Sequence, residues 1–197
     1  MPRRGLTAER VTAAAARLAD TDGLDSVSLA RLASQLEVRP ASLFNHVDGL
    51  PGLRRQLQLH GLREMTAVAE RAAVGRAGEE AVIAVAKAVR EFAARHPGLY
   101  AASLPAPRGD DAELESAASQ FLDLIFAALR AYGLEGEDGI HAARGLFSVV
   151  HGFVMLERAG TFGLPVDLDR SFEWLLQHYV DSLEAAPPAV LTRPRTD

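Results

Sequence analysis

The sequence predicts an all-α protein, and its composition and its apolar pattern both indicate this. Of the 197 residues, 48% are apolar, and alanine and leucine dominate while aromatic residues make up only 6%. Alanine and leucine favour helices, whereas the β-branched and aromatic residues that favour strands are sparse here. Apolar residues also recur every three or four positions along most of the chain, which is the period of one buried helix face.

A first helix is predicted from Thr7 to about Asp22. The Thr7 side chain can cap its start, and Leu6 and Val11 have the spacing of a hydrophobic staple around that cap. Gly23 is a natural stop, because glycine readily takes the conformation that ends a helix. This helix is expected to serve mainly as a scaffold for the segment that follows.

The next stretch, Ser28 to Val47, predicts two short helices joined by a tight turn. Ser28 can cap the first of them, and Pro40 suits the first position of the second. The second segment buries little beyond Leu43 and Val47, so most of its side chains are available for contacts outside the core. A helix-turn-helix places such a segment in the DNA major groove. On spacing alone, an ordinary helical hairpin at the edge of the protein is an equal alternative.

Five further helices are predicted, and the last two are expected to pair with a second copy of the chain. The segment from Asp138 to Ala159 is apolar nearly all round, so it must be covered on two sides. Together with the final helix, it is predicted to form a homodimer interface at Val150, Val154, Trp174, Leu175 and Tyr179. The predicted bounds are about Leu50 to Val74, Glu79 to His96, Ala112 to Tyr132, Asp138 to Ala159, and Phe172 to Leu183.

The charge distribution permits DNA binding but does not argue for it. The net charge is −5, yet residues 1–57 carry +2 and residues 58–197 carry −7. The chain has no cysteine, which excludes disulfides and thiolate metal sites and suits the cytosol. No uninterrupted apolar run approaches the ~18 residues that a membrane span needs. The sequence therefore predicts a cytoplasmic protein with no membrane partner.

The stretch V-R-P-A-S-L-F-N-H-V-D-G-L-P-G-L, Val38 to Leu53, resembles the recognition helix and following helix start of the TetR family of bacterial transcriptional regulators. Six residues fall on the family pattern, and the chain's length and layout fit as well. The resemblance implies a helix-turn-helix head at 1–54 and a ligand-binding and dimerisation bundle at 55–186. Residues 187–197 are predicted to be a disordered tail. The stretch Val149 to Glu157 resembles a subgroup marked by a His-Gly pair. The six matching residues are Val38, Leu43, Phe44, His46, Val47 and Leu53.

The resemblance also implies which residues contact DNA. Ser28 and Arg31 would meet the DNA backbone, and the start of the second helix would face base edges or flanking phosphates. Chemically, an arginine can fork onto a guanine edge and an asparagine can pair with adenine. Phe44 is equally well explained as a core aromatic, His46 as a helix cap and Arg54 as a solvated side chain. The predicted DNA-binding residues are Ser28, Arg31, Arg39, Pro40, Ala41, Ser42, Phe44, Asn45, His46 and Arg54.

Three positions depart from the family pattern. Glu37 stands in the turn where the family commonly has glycine, so a left-handed backbone there would cost ~1 kcal/mol. Arg39 replaces the Ser or Thr that usually caps the second helix. The stretch that starts at Asp48 lacks the lysine that family members commonly have near the start of the next helix, where it binds phosphate. These departures put operator affinity in doubt without displacing the fold.

The family generally places its effector in an apolar cavity of the bundle, which is a usual kind of small-molecule site. The resemblance thus implies an effector site at Phe92, His96, Tyr100, Phe121, Ile125, Phe147, His151 and Met155. A satisfied core or interface histidine is the commoner account of His151.

No catalytic constellation, zinc motif or phosphate loop occurs in the sequence, so neither an enzyme nor a cofactor nor a metal is predicted. The predicted function is a ligand-responsive regulator, a repressor that binds a palindromic operator in double-stranded DNA as a homodimer and is released by a small apolar or amphipathic effector. A helical protein-interaction module with a degenerate DNA-binding head is the alternative, and a small helical enzyme is a third.

Overall fold

The computed structural model describes residues 5–107 and 109–184, and in this part of the chain all regular structure is helical. The prediction of an all-α protein is therefore confirmed. Three short 3₁₀ segments, Leu24–Ser26, Pro40–Asn45 and Arg130–Tyr132, join the longer elements. The predicted tail at 187–197 lies outside the described residues. The α-helices are α1 (Ala8–Asp22), α2 (Leu29–Gln35), α3 (Gly49–Ala73), α4 (Gly78–Arg95), α5 (Pro97–Ser103), α6 (Ala112–Leu129), α7 (Gly136–Arg158) and α8 (Leu168–Glu184).

The described residues form two compact units. Unit 1 contains residues 5–66, 92–107 and 109–120, and unit 2 contains residues 67–91 and 121–184. The helices α3, α4 and α6 therefore each contribute residues to both units. The boundary at residue 54 between a head and a body stays a prediction.

Unit 1 is built around α1, whose ends lie where the sequence predicts them. The Thr7 hydroxyl accepts a hydrogen bond from the Arg10 backbone N–H at 3.2 Å, and Gly23 ends the helix with a φ of 88°. A stripe of α1 side chains is buried together with apolar residues of α2, the segment Pro40–Asn45 and α3. These residues are Val11, Ala14, Ala15, Leu18, Leu32, Leu43, Leu53 and Leu57.

The short helix α5 was not predicted, because the sequence around Pro97 indicates only the end of α4. Pro97 instead starts a new helix, as proline can at a first position. The Asp20 carboxylate of α1 caps it by accepting the N–H groups of Gly98 and Leu99, each at 2.9 Å. The two helices lie so close that a Cβ on Gly98 would fall 2.1 Å from the Ala19 backbone.

Unit 2 has a partly buried ion pair among aromatic rings. The guanidinium of Arg90 on α4 donates to both carboxylate oxygens of Glu157 on α7, at 2.9 and 2.5 Å. It also lies 5.1 and 4.9 Å from the ring centroids of Phe153 and Phe172. These hydrogen bonds outweigh burial and raise the pKa of Arg90. Arg90 thus joins α4, α7 and α8.

The helix α7 is long and apolar enough to cross a membrane by length and composition. A single such helix is weak evidence for a membrane span, because core helices of soluble proteins have the same length and composition. In unit 2, the α7 side chains of Leu146, Val150, Phe153 and Val154 are buried by the chain itself.

Candidate nucleic-acid interface

The helix α2 begins as the sequence predicts and supports the segment that follows. The Ser28 hydroxyl accepts the Arg31 backbone N–H at 3.3 Å, and Leu32 and Ala33 are buried beneath the helix. The guanidinium of Arg31 forms an ion pair with Asp22 and remains half exposed. Arg31 is therefore on the surface but is partly neutralised.

The turn after α2 contains a backbone conformation that is unfavourable for its residue. Glu37 has a φ of 53°, and among the described residues no other non-glycine residue has a positive φ. The N–H of Glu37 bonds to Ser34 C=O at 3.1 Å, and the N–H of Val38 bonds to Ala33 C=O at 3.0 Å. This pair of bonds defines a Schellman motif, whose left-handed residue is usually glycine.

The predicted second helix is a 3₁₀ segment, Pro40–Asn45, which we call the recognition segment. Its backbone bonds span three residues, from Ser42 N–H to Arg39 C=O and from His46 N–H to Leu43 C=O. The sequence predicts a short helix here, and the structure has a short helix of the 3₁₀ type. The segment has no side-chain N-cap and is only six residues long, and short helical pieces commonly take the 3₁₀ form.

Two buried apolar side chains, one within the recognition segment and one just past its end, anchor the segment. Most of the segment's other side chains face solvent. Leu43 is fully buried and Val47 nearly so. Phe44 is 60% exposed, so the interpretation of Phe44 as a core aromatic is wrong. The predicted contact residues Arg39, Pro40, Ala41, Asn45 and Arg54 are exposed, and Ser42 and His46 are half-buried.

A cleft of about 220 Å³ separates the end of the recognition segment from the start of α3. It is lined by residues 44–48 and by Gly52, Arg55 and Gln56. Gln56 bridges the two sides, donating from Nε2 to the His46 carbonyl at 3.0 Å. No sequence signal singled out Gln56, because its partners come from two other elements.

The guanidinium of Arg55 is turned toward α6. Arg55 Nε lies 2.5 Å from Asp111 Oδ2, and Arg55 Nη2 lies 2.8 Å from both Asp111 Oδ1 and Glu113 Oε2. The hydrogen bonds from Arg55 lower the pKa of both carboxyl groups, and Arg63 adds to this effect at Glu113. The positive charge of Arg55 is thus compensated within unit 1, whereas Arg54 is exposed.

Comparison with known proteins identifies relatives of this chain. The family described as "Tetracyclin repressor-like, C-terminal domain" matches residues 82–179. The HTH-type transcriptional regulator Rv0681 of Mycobacterium tuberculosis is 37% identical over 168 residues, which cover 85% of this chain and 77% of that protein. The regulator YobS of Bacillus subtilis is 34% identical over 183 residues, covering 92% and 95%. The chain belongs to the TetR family. It is a DNA-binding transcriptional regulator of the helix-turn-helix type.

The TetR fold is also found in a complex with DNA. The crystal structure of BioQ with its natural double-stranded DNA operator superposes with a TM-score of 0.67 at 26% identity, covering 92% of this chain and 100% of that one. The predicted TetR subgroup with a His-Gly pair stays a prediction.

The side chains predicted to bind the effector of this TetR-family chain are distributed over both compact units. In unit 1, Phe92 and Tyr100 are buried, and burial raises the pKa of Tyr100 to about 12. His96 is exposed, with Nδ1 3.0 Å from Asp20 Oδ2. In unit 2, Phe121 and Ile125 are buried, Phe147 and Met155 are partly exposed, and the half-buried His151 ring lies stacked 5.9 Å from the Phe147 ring.

The residues predicted to join two TetR-family subunits differ in their exposure. Val150 and Val154 are buried within the single chain, so their side chains offer almost no surface to a second copy. Tyr179 is half-buried and donates its hydroxyl proton to the Ala142 carbonyl. Leu175 is half-buried, whereas Trp174 is 62% exposed. The large apolar side chains that α7 and α8 expose are Ile140, Phe147, Met155, Leu156 and Trp174.

Proposed function

We propose that the protein is a repressor that binds a palindromic operator through its recognition segment. The exposure of this segment carries the proposal: Leu43 and Val47 hold it, while its polar side chains face outward. Arg39 can bond bidentately to a guanine edge, Asn45 to an adenine edge, and Ser42 to several partners. The exposed ring of Phe44 can contact a thymine methyl group. Ser28, Arg31, Pro40, Ala41, His46 and Arg54 would contribute backbone contacts and positioning.

We propose that the operator is bound by a homodimer that uses the outer faces of α7 and α8. Exposed large apolar side chains on these helices support this, because such surfaces usually mark an interface. They are Ile140, Phe147, Met155, Leu156 and Trp174. A dimer would place two recognition segments about one DNA turn apart, which matches a palindrome.

We propose that a small apolar or amphipathic effector releases the DNA by favouring a conformation that no longer fits it. A coupling free energy of roughly 1–3 kcal/mol is typical for such control.

Because its curated relatives are named as regulators, we infer a regulator without catalytic activity that acts in the cytosol.

The DNA-binding proposal is tested by fluorescence anisotropy with duplexes from the gene's upstream region and with shuffled DNA. We expect one palindromic duplex to bind about 10³-fold more tightly than shuffled DNA. Ser42→Ala and Asn45→Ala should each weaken that binding about tenfold, whereas Ser119→Ala, an exposed serine on α6, should not. Unchanged operator affinity in both recognition-segment variants would refute the assignment.

The dimer proposal is tested by light scattering. Trp174→Glu should yield monomers, because a charge would be buried at the interface. Leu122→Glu, at an exposed apolar position of α6, should leave the dimer intact. A Trp174→Glu variant that remains dimeric would contradict the proposed interface.

A further inference from the structure

We propose that Gln56 is a positioning residue that fixes the recognition segment and so sets the protein's discrimination among DNA sequences. The inference rests on the proposed function and assigns a role to a residue outside the DNA-facing surface. Gln56 lies on α3, and its side chain connects three parts of unit 1: α1, α3 and the end of the recognition segment.

The hydrogen-bond chemistry fixes the orientation of the Gln56 amide. The carbonyl of His46, 3.0 Å away, can only accept, so the amide nitrogen must face it. The amide oxygen then faces the Thr12 hydroxyl at 2.8 Å, which donates to it. The single Thr12 hydroxyl hydrogen is shared with the Ala8 carbonyl on the same helix, which lies 2.9 Å from Thr12 Oγ1. A directed chain thus runs from α1 through Gln56 to the recognition segment.

The recognition segment needs this additional contact because few other interactions hold it. It is anchored by the buried side chains of Leu43 and of Val47, which lies two residues past its end, and we infer that the segment can rotate about the short axis through these two residues. Its start has no side-chain cap and follows the unfavourable backbone at Glu37. The carbonyl of His46 comes just past its end, where helical carbonyls lack a partner within the helix. Gln56 supplies that partner and opposes rotation.

Rotation of the segment would affect specific binding more than general binding. Base-edge hydrogen bonds require close alignment, whereas phosphate contacts tolerate small displacements and carry no sequence information. Arg55 cannot substitute for Gln56, because its guanidinium is engaged by Asp111 and Glu113. Loss of the Gln56 amide should therefore reduce discrimination while leaving binding to shuffled DNA largely unchanged.

The test compares Gln56→Met and Gln56→Glu with the wild type and with Gln120→Met, an exposed glutamine on α6. Methionine keeps the length of the side chain but has no amide donor, and glutamate would place a carboxylate oxygen against the His46 carbonyl. Anisotropy should show operator affinity reduced roughly tenfold in both variants. Affinity for shuffled DNA and its salt dependence should not change in Gln56→Met, which keeps the charge of the wild type. Thr12→Val should have the same direction of effect and add little to Gln56→Met.

Amide hydrogen exchange in the free protein provides an independent readout. His46 and Val47 should exchange faster in Gln56→Met, while amides in α7 should not. Retained discrimination in Gln56→Met, an equal loss of operator and shuffled-DNA binding, or unchanged exchange at His46 and Val47 would each overturn the proposal. A wild-type protein that prefers no duplex would refute the proposed function. The discrimination role of Gln56 would be refuted with it, and faster exchange in Gln56→Met would then leave only a structural role.

Discussion

Replacing Glu37 with glycine should stabilise the protein, because Glu37 has a backbone conformation that suits glycine. Its φ of 53° lies in the left-handed region, which costs a residue with a Cβ roughly 1–2 kcal/mol. Glycine removes that cost but adds backbone entropy to the unfolded chain, an opposing effect of about 0.5–1 kcal/mol. The Glu37 side chain is exposed, so little packing is lost. A net stabilisation of about 0.5–1 kcal/mol should remain.

Glu37→Ala is the matched control, because it removes the same charge and keeps the Cβ. Urea denaturation, at one protein concentration for all variants, should show Glu37→Gly more stable than Glu37→Ala by about 1 kcal/mol. For a chain of this size, that difference corresponds to a Tm shift of roughly 2–4 °C. Affinity for DNA should rise equally in both variants, since both remove an acidic group close to the recognition segment.

A glycine variant no more stable than the alanine variant would contradict a strained backbone at Glu37. That result would mean that the turn adopts another conformation in solution. A rise in DNA affinity confined to Glu37→Gly would instead show that the turn geometry, and not the charge, limits binding.

Three further predictions concern stability, each measured by urea denaturation. Gly98→Ala should destabilise the protein by about 3 kcal/mol, because its Cβ would lie 2.1 Å from the Ala19 backbone. Gly152→Ala is the control, because Gly152 has open space around it. Equal changes in the free energy of unfolding for the two variants would contradict the close contact at Gly98. Arg90→Ala should cost about 2 kcal/mol by leaving Glu157 without its partner; a neutral result would show that the pair contributes nothing. Burial raises the pKa of Tyr100 to about 12, whereas a tyrosine in the unfolded chain ionises near pH ~10. The contribution of Tyr100 to the free energy of unfolding is therefore present below pH ~10 and is lost as the pH rises toward about 12. Tyr100→Phe should lose less stability between pH ~10 and pH ~12. An unchanged dependence of the free energy of unfolding on pH would contradict this.

The sequence predicted those parts of the fold that depend on neighbouring residues. The caps at Thr7 and Ser28 accept N–H groups three residues along the chain, so short-range pattern was enough. The resemblance placed Glu37 where the family commonly has glycine, so either a costly left-handed residue or a rearranged turn was expected, and its φ of 53° is left-handed. The resemblance over Val38 to Leu53 led to the family assignment, which the curated relatives confirm.

Features that depend on distant residues could not be predicted. Asp20 caps α5 from a position 78 residues earlier, and Arg55 pairs with an aspartate 56 residues away. The same limit applies to Gln56, whose partner Thr12 lies on α1. The apolar periodicity showed which side chains of α7 are apolar, but it did not show which of them are buried within the single chain. Val150 and Val154 were therefore assigned to an interface although both are buried in the single chain.

The most direct test of the central claim is the operator-to-shuffled ratio of DNA affinities for the wild type and Asn45→Ala, measured by anisotropy at two salt concentrations. Asn45 is exposed on the recognition segment and should pair with a base edge. We expect a wild-type ratio of about 10³ or more and a ratio roughly tenfold lower for Asn45→Ala at both salt concentrations. Equal affinity for every duplex, or a ratio unaffected by Asn45→Ala, would contradict sequence recognition by this segment.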